Sequence, residues 1–167
     1  MNVLITGAAG YIGQQLVKSL VEQQKHHVIA ADIRDVSPFE HHENLAYVML
    51  DVRSKEAETI IKEYEVDVVV HLASIVTPGK TSNREFEYSV DVLGTKNILR
   101  ACVKNGVKRI VISSSGAAYG YHSDNPDWLV ETSAIRGNVE FAYSYHKRLV
   151  EEILRDYREL HPELEQT

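Results

Sequence analysis

The sequence predicts a doubly wound α/β domain, a parallel sheet with helices on both faces. Three observations carry this. Short β-rich runs alternate with longer stretches of helical periodicity, as in βαβ units. Several of the runs are apolar throughout, as parallel strands covered on both sides must be. The 167 residues are one domain's worth of chain, able to bury roughly two-thirds of its unfolded surface.

In order, the strand candidates are "NVLIT" (Asn2 to Thr6), "HVIAAD" (His27 to Asp32), "YVMLD" (Tyr47 to Asp51), "DVVVHLA" (Asp67 to Ala73) and "RIVISSS" (Arg109 to Ser115). Helical periodicity fills 11–24, 54–64, 84–104 and 141–160 between and after them. The stretch from Gly116 to Glu140 is too long for a plain connection and is expected to be a functional loop. After the last helix, "LHPELEQT" has the look of an approach to a sixth strand that does not follow. The expectation is therefore one dinucleotide-binding domain over 1–167, its sheet closing at the fifth strand and its C-terminal strands and substrate-binding region lacking.

Composition narrows the function. Apolar residues make up 44% and charged residues 25%, ordinary for a globular chain. The net charge of −6, with no basic block, argues against nucleic-acid or anionic-membrane partners. Cys102 is the only cysteine, which excludes an internal disulfide and fits a reducing compartment. With no leader before the first strand and no apolar run of membrane-spanning length, a cytoplasmic protein is expected. His26-His27 and His41-His42 are adjacent pairs whose side chains diverge, without a carboxylate or thiol at ligand spacing, so no metal is expected.

The motif with most chemistry is "LITGAAGYIGQQLV". It places Gly7, Gly10 and Gly13 where the first strand turns into the first helix. Glycine there permits a tight turn, close approach of backbone to a pyrophosphate, and close helix–strand packing. The N–H groups of Tyr11 and Ile12, at the helix start, point toward the phosphates. A glycine-rich turn alone would be only a turn; its setting between strand and helix, followed by Asp32, makes it a dinucleotide site. Asp32, with Ile33 and Arg34 just beyond, is placed to meet an adenosine ribose diol. Its charge would repel a 2′-phosphate, so NAD is expected over NADP, with Arg34 as the counterweight.

The spacing G-x-x-G-x-x-G, with four further motifs in order, resembles the extended short-chain dehydrogenase/reductases, the group of the nucleotide-sugar epimerases and dehydratases. "TGAAGYIG" is similar to that family's phosphate loop. Asp51 and Val52 match its adenine contact. "HLAS", with Leu72, Ala73 and Ser74, resembles the segment lining the nicotinamide ribose. "DVLGTKNIL" resembles the helix motif N-V-x-G-T, and "SSSGAAYG", opening with Ser113, resembles the serine strand beside the active site. The likeness runs from Asn2 to about Glu152 and implies a Rossmann-like fold. Two positions depart from it: Asp91 replaces an asparagine near the cofactor, and Ser74 replaces an alanine.

Near the end, "FAYSYHKRLVEE" sets two tyrosines before a lysine. Residues four apart share a helix face, so Tyr143 can meet Lys147, whereas Tyr145 points away. A free phenol, with a pKa near 10, is a poor general base at neutral pH, and a close ammonium stabilises its phenolate. The resemblance makes Tyr143 the acid/base, Lys147 its partner and a ribose contact, and Ser115 or Ser114 the donor to the reacting oxygen. It implies hydride transfer to nicotinamide from a small-molecule substrate, a nucleotide sugar being one candidate. It also implies a homodimer, formed by the helices near 84–104 and 141–160. The rival from another class is a dinucleotide-sensing regulator or binding module without turnover, which has no need of an acid/base pair.

Overall fold

The computed structural model describes residues 1–76 and 83–167. Its centre is a six-stranded parallel sheet, formed by β1 (Asn2–Thr6), β2 (His27–Asp32), β3 (Leu45–Met49), β4 (Val68–His71), β5 (Arg109–Ile112) and β6 (Glu165–Gln166). Their order across the sheet is β3-β2-β1-β4-β5-β6. The chain runs outward from β1 to β3, then returns to the other side of β1 with β4. This reversal leaves a crevice beyond the carboxyl ends of β1 and β4, where open α/β sheets bind ligands.

Side chains alternate across the sheet. Val3, Ile5, Val28 and Ala30 face α1 (Tyr11–Glu22), which buries Gly13, Val17 and Val21 at four-residue spacing. Leu4, Ile29, Ala31, Val69 and Ile110 face the opposite layer. That layer holds α2 (Glu56–Glu63), the helical stretch 84–104 and α5 (Ala142–Leu160). Each fully buried aliphatic side chain in these clusters contributes about 1.5–3 kcal/mol over an exposed one.

The stretch 84–104 is helical throughout, as its periodicity predicts, but not uniform. It comprises α3 (Arg84–Tyr88), a π-helical segment (Ser89–Gly94) and α4 (Thr95–Lys104). Asn83 caps its start, its side-chain oxygen accepting from the Phe86 N–H at 3.0 Å. The loop from Gly116 begins with a 3₁₀ turn (Gly116–Tyr119) and is pinned to α5 by Ser144. That fully buried hydroxyl donates to the Ala117 carbonyl at 2.6 Å and accepts from the Asn138 N–H at 2.9 Å.

One expectation is corrected. The sheet does not close at β5, because β6 pairs with it in parallel, Arg109 opposite Glu165 and Ile110 opposite Gln166. Thr167 extends the pairing, donating to Ile110 and accepting from Ile112, both at 3.0 Å. Glu165 and Gln166 carry no apolar pattern, so β5 supplies what the local sequence does not signal.

Candidate active site

The glycine loop is as tight as its sequence requires. Gly7 has φ +69°, and a Cβ added there would lie 2.8 Å from the Ala73 backbone nitrogen. A Cβ on Gly13 would lie 2.4 Å from the Gly7 carbonyl oxygen. The loop therefore seats α1 hard against the ends of β1 and β4, and no side chain caps the first turn of α1. Tyr11 and Ile12, in that turn, are exposed.

On one side of the loop lies a cavity of about 340 Å³, bounded by Gly7, Gly10, Asp32, Ile33, Arg34, Leu50, Asp51, Val52, Leu72, Ala73, Ser74, Ile75, Phe86 and Val90. Asp32 sits at its far end, where its carboxylate accepts from the Ala9 N–H at 2.9 Å and the Arg34 N–H at 3.3 Å. Arg34 folds back over the loop to donate to the Ala9 carbonyl at 3.2 Å. Asp51 is engaged by a residue the motif did not single out: Arg53 donates to both carboxylate oxygens, at 2.5–3.0 Å. These bonds hold the Asp51 carboxyl below its ordinary range, against a smaller opposing effect of burial. Arg53 also lies over the Phe86 ring, 5.0 Å from its centre, and donates to Ser89 at 3.1 Å. Phe86 and Val90, which complete the lining, come from the helix 84–104 and carry no motif of their own.

On the other side lies a second cavity of about 310 Å³, sharing Gly7, Gly10, Leu72 and Ser74 with the first. It adds Tyr11, Ile12, Gly13, Ser113, Ser114, Tyr143 and Lys147. The Lys147 ammonium stands 5.6 Å from the centre of the Tyr143 ring and donates to the Ser113 carbonyl at 2.8 Å. Burial draws the Lys147 pKa down, with Asp91 and then Glu151 acting against it. Tyr145 lies instead against His146, ring centres 6.3 Å apart. Ser114 donates to Glu151 on the wall toward a third cavity. Ser115 opens on that third cavity, and its oxygen accepts from the Ala117 N–H at 3.2 Å.

Asp91 lines neither main cavity. It is 3% exposed and accepts from the Ser74 hydroxyl at 3.0 Å and the Ile75 N–H at 2.8 Å, while His146 Nδ1 faces its other oxygen at 3.3 Å. Close by, buried His71 spans Thr6 and Thr95, at 2.7 and 3.0 Å. Burial first, and Lys147 second, push the His71 pKa down to about 4. Among the described residues no group of three His, Cys, Asp or Glu is placed to hold a metal ion. Nor is any helix among them long and apolar enough to cross a membrane.

Comparison with known proteins gives a consistent picture. Residues 3–165 match the profile of the NAD dependent epimerase/dehydratase family. The UDP-glucose 4-epimerase of Erwinia amylovora is 31% identical over 172 residues, spanning 98% of this chain and 50% of the relative. The D-erythronate dehydrogenase of Haemophilus influenzae is 31% identical over 162 residues, spanning 94% of this chain and 50% of the relative. Among solved structures, UDP-glucose 4-epimerase from Thermus thermophilus, in complex with NAD, superposes with a TM-score of 0.81 at 28% identity. That match covers 99% of this chain and 53% of the other. The chain spans about half the length of the curated relatives it matches.

Proposed function

The chain belongs to the NAD dependent epimerase/dehydratase family, and from that premise we propose that it forms the NAD-binding and acid/base half of an enzyme acting at a hydroxyl-bearing carbon of a small molecule. A nucleotide sugar is the substrate class we favour, since the Erwinia amylovora relative is a UDP-glucose 4-epimerase. One observation carries the reading. Two cavities meet over a glycine loop that a Cβ would fill, with Asp32 at one end and Tyr143–Lys147 at the other. A two-part dinucleotide fits this shape, its pyrophosphate over the loop and the free N–H groups of α1.

Asp32, Ile33 and Arg34 would hold the adenosine ribose, and Asp51, Val52 and Phe86 the adenine. Leu72, Ala73, Ser74 and Lys147 would line the nicotinamide side. Bound NAD supplies the hydride acceptor. Tyr143 Oη takes the substrate hydroxyl proton, with the Lys147 ammonium standing beside its ring. Ser114 or Ser115 steadies the reacting oxygen, a role that requires Ser114 to turn from Glu151 or Ser115 to turn from the third cavity. A homodimer through the helices 84–104 and α5 belongs to the same reading, supported by Leu93, nearly half exposed on that face.

Calorimetric titration of the chain with both nucleotides tests the binding half: NAD should bind more tightly than NADP, and Asp32→Ala should erase the difference. For the chemistry, Tyr143→Phe in an active preparation should lower turnover at least ~100-fold while NAD affinity stays within a few-fold. Tyr145→Phe should change turnover far less. Equal losses from the two tyrosines would overturn the assignment.

A further inference from the structure

We propose that Asp91 and His146 form a buried clasp that positions the Tyr143–Lys147 half of the site, tying the end of β4 to the first turns of α5. The proposal rests on the functional reading only in naming what the two walls hold. Its geometry stands alone. A carboxylate 3% exposed is costly to bury unless its oxygens are met. Here one oxygen takes the Ser74 hydroxyl and Ile75 N–H, and the other faces His146 Nδ1. The carboxylate is an acceptor only, so the imidazole N–H donates.

The partners come from three separate places. Ser74 and Ile75 leave the end of β4 and line the cavities. Asp91 lies in the π-helical segment, a rare local geometry that concentrates at functional sites. His146 precedes Lys147 and follows Tyr143 by three residues, and the Tyr88 ring meets it edge-on at 5.8 Å. Asp91 therefore bonds one wall of the nicotinamide half directly and the other through a single imidazole. It also supports the Lys147 ammonium against burial. Neither residue need touch ligand; both are positioning residues.

The test uses amide hydrogen exchange at Ile75 in the ligand-free chain, with calorimetry on NAD beside it. Asp91→Ala should speed Ile75 exchange by at least ~10-fold, and Asp91→Asn, which keeps an acceptor oxygen, should restore it to within ~3-fold. His146→Ala, remote from Ile75 in sequence, should also speed that exchange, with no further increase in the double alanine variant. NAD affinity should follow the same order. Unchanged Ile75 exchange in His146→Ala, additive effects, or Asp91→Asn behaving like Asp91→Ala would overturn the clasp. Should Asp91→Ala not fold, His146→Ala and Asp91→Asn decide the matter together. If the parent chain binds no NAD, the functional reading fails, and the exchange data still judge the clasp.

Discussion

His71 shows how much one side chain in this core can decide. Thr95 uses its hydroxyl proton on the Asp91 carbonyl, at 2.6 Å, so its oxygen accepts from His71 Nε2–H. His71 Nδ1 is left to accept from Thr6, which makes the ring neutral and fixes its tautomer. A second proton would place a charge on a buried ring near the Lys147 ammonium, in keeping with the pKa of about 4. The sign follows: the folded value lies below the unfolded one, so the unfolded chain takes the proton first. Stability from this group is intact above pH ~6.5, falls as pH drops from ~6.5 to ~4, and by pH 5 has lost about 2 kcal/mol. Urea unfolding at pH 7 and pH 5 should show that extra loss in the parent and not in His71→Gln. Equal pH dependence in both would exclude His71 as the cause. At this scale, Gly7, Gly13, Asp32, Tyr143 and Lys147 were legible because each belongs to a short fixed spacing. Arg53 with Ser89, and Asp91 with His146, were not, since they meet across 36 and 55 residues.

Among the elements, α4 has a role its periodicity does not announce. Its Asn97 side chain donates to the carbonyls of Val52 and Ser54, at 2.8 and 2.7 Å. The turn after β3 is thereby held against the helix, with Asp51 and Val52 fixed at the mouth of the first cavity. Asn97→Ala leaves two partly buried carbonyls without that partner and should cost about 1–3 kcal/mol. It should also weaken NAD binding, whereas a change at exposed Lys18 should not; thermal unfolding and calorimetry on both variants would check this. Apolar periodicity showed where the helices lie. It could not show the π-helical segment, whose extra residue per turn reflects packing and not local pattern. Nor could it show β6, two polar residues recruited by the edge of β5.

For the molecule as a whole, one segment carries several of the uncovered apolar side chains. Tyr121, Trp128, Val130, Val139 and Phe141 are all at least 45% exposed, and all lie between the 3₁₀ turn and α5. Apolar groups so gathered mark a surface that meets something else. We therefore expect the 167-residue chain by itself to bind NAD with a dissociation constant above ~10 μM, less than ~7 kcal/mol of binding. It should catalyse no turnover, and should sediment as a dimer joined by helices and not by the β5 edge, which β6 covers. Velocity sedimentation and an epimerisation assay on one sample would decide. A monomer that turns over a nucleotide sugar would contradict all of it.

The strand order also sets a timetable for synthesis. β1 can find β2 once some thirty residues have emerged, since Asn2 pairs with His27. Its other edge stays bare until Val68–His71 arrive, with Val3 waiting for Val68. At ~5–20 residues per second, that edge is open for about 2–8 s after β2 is made. During this interval "NVLIT" is an apolar strand with one unsatisfied side, open to pairing with another chain.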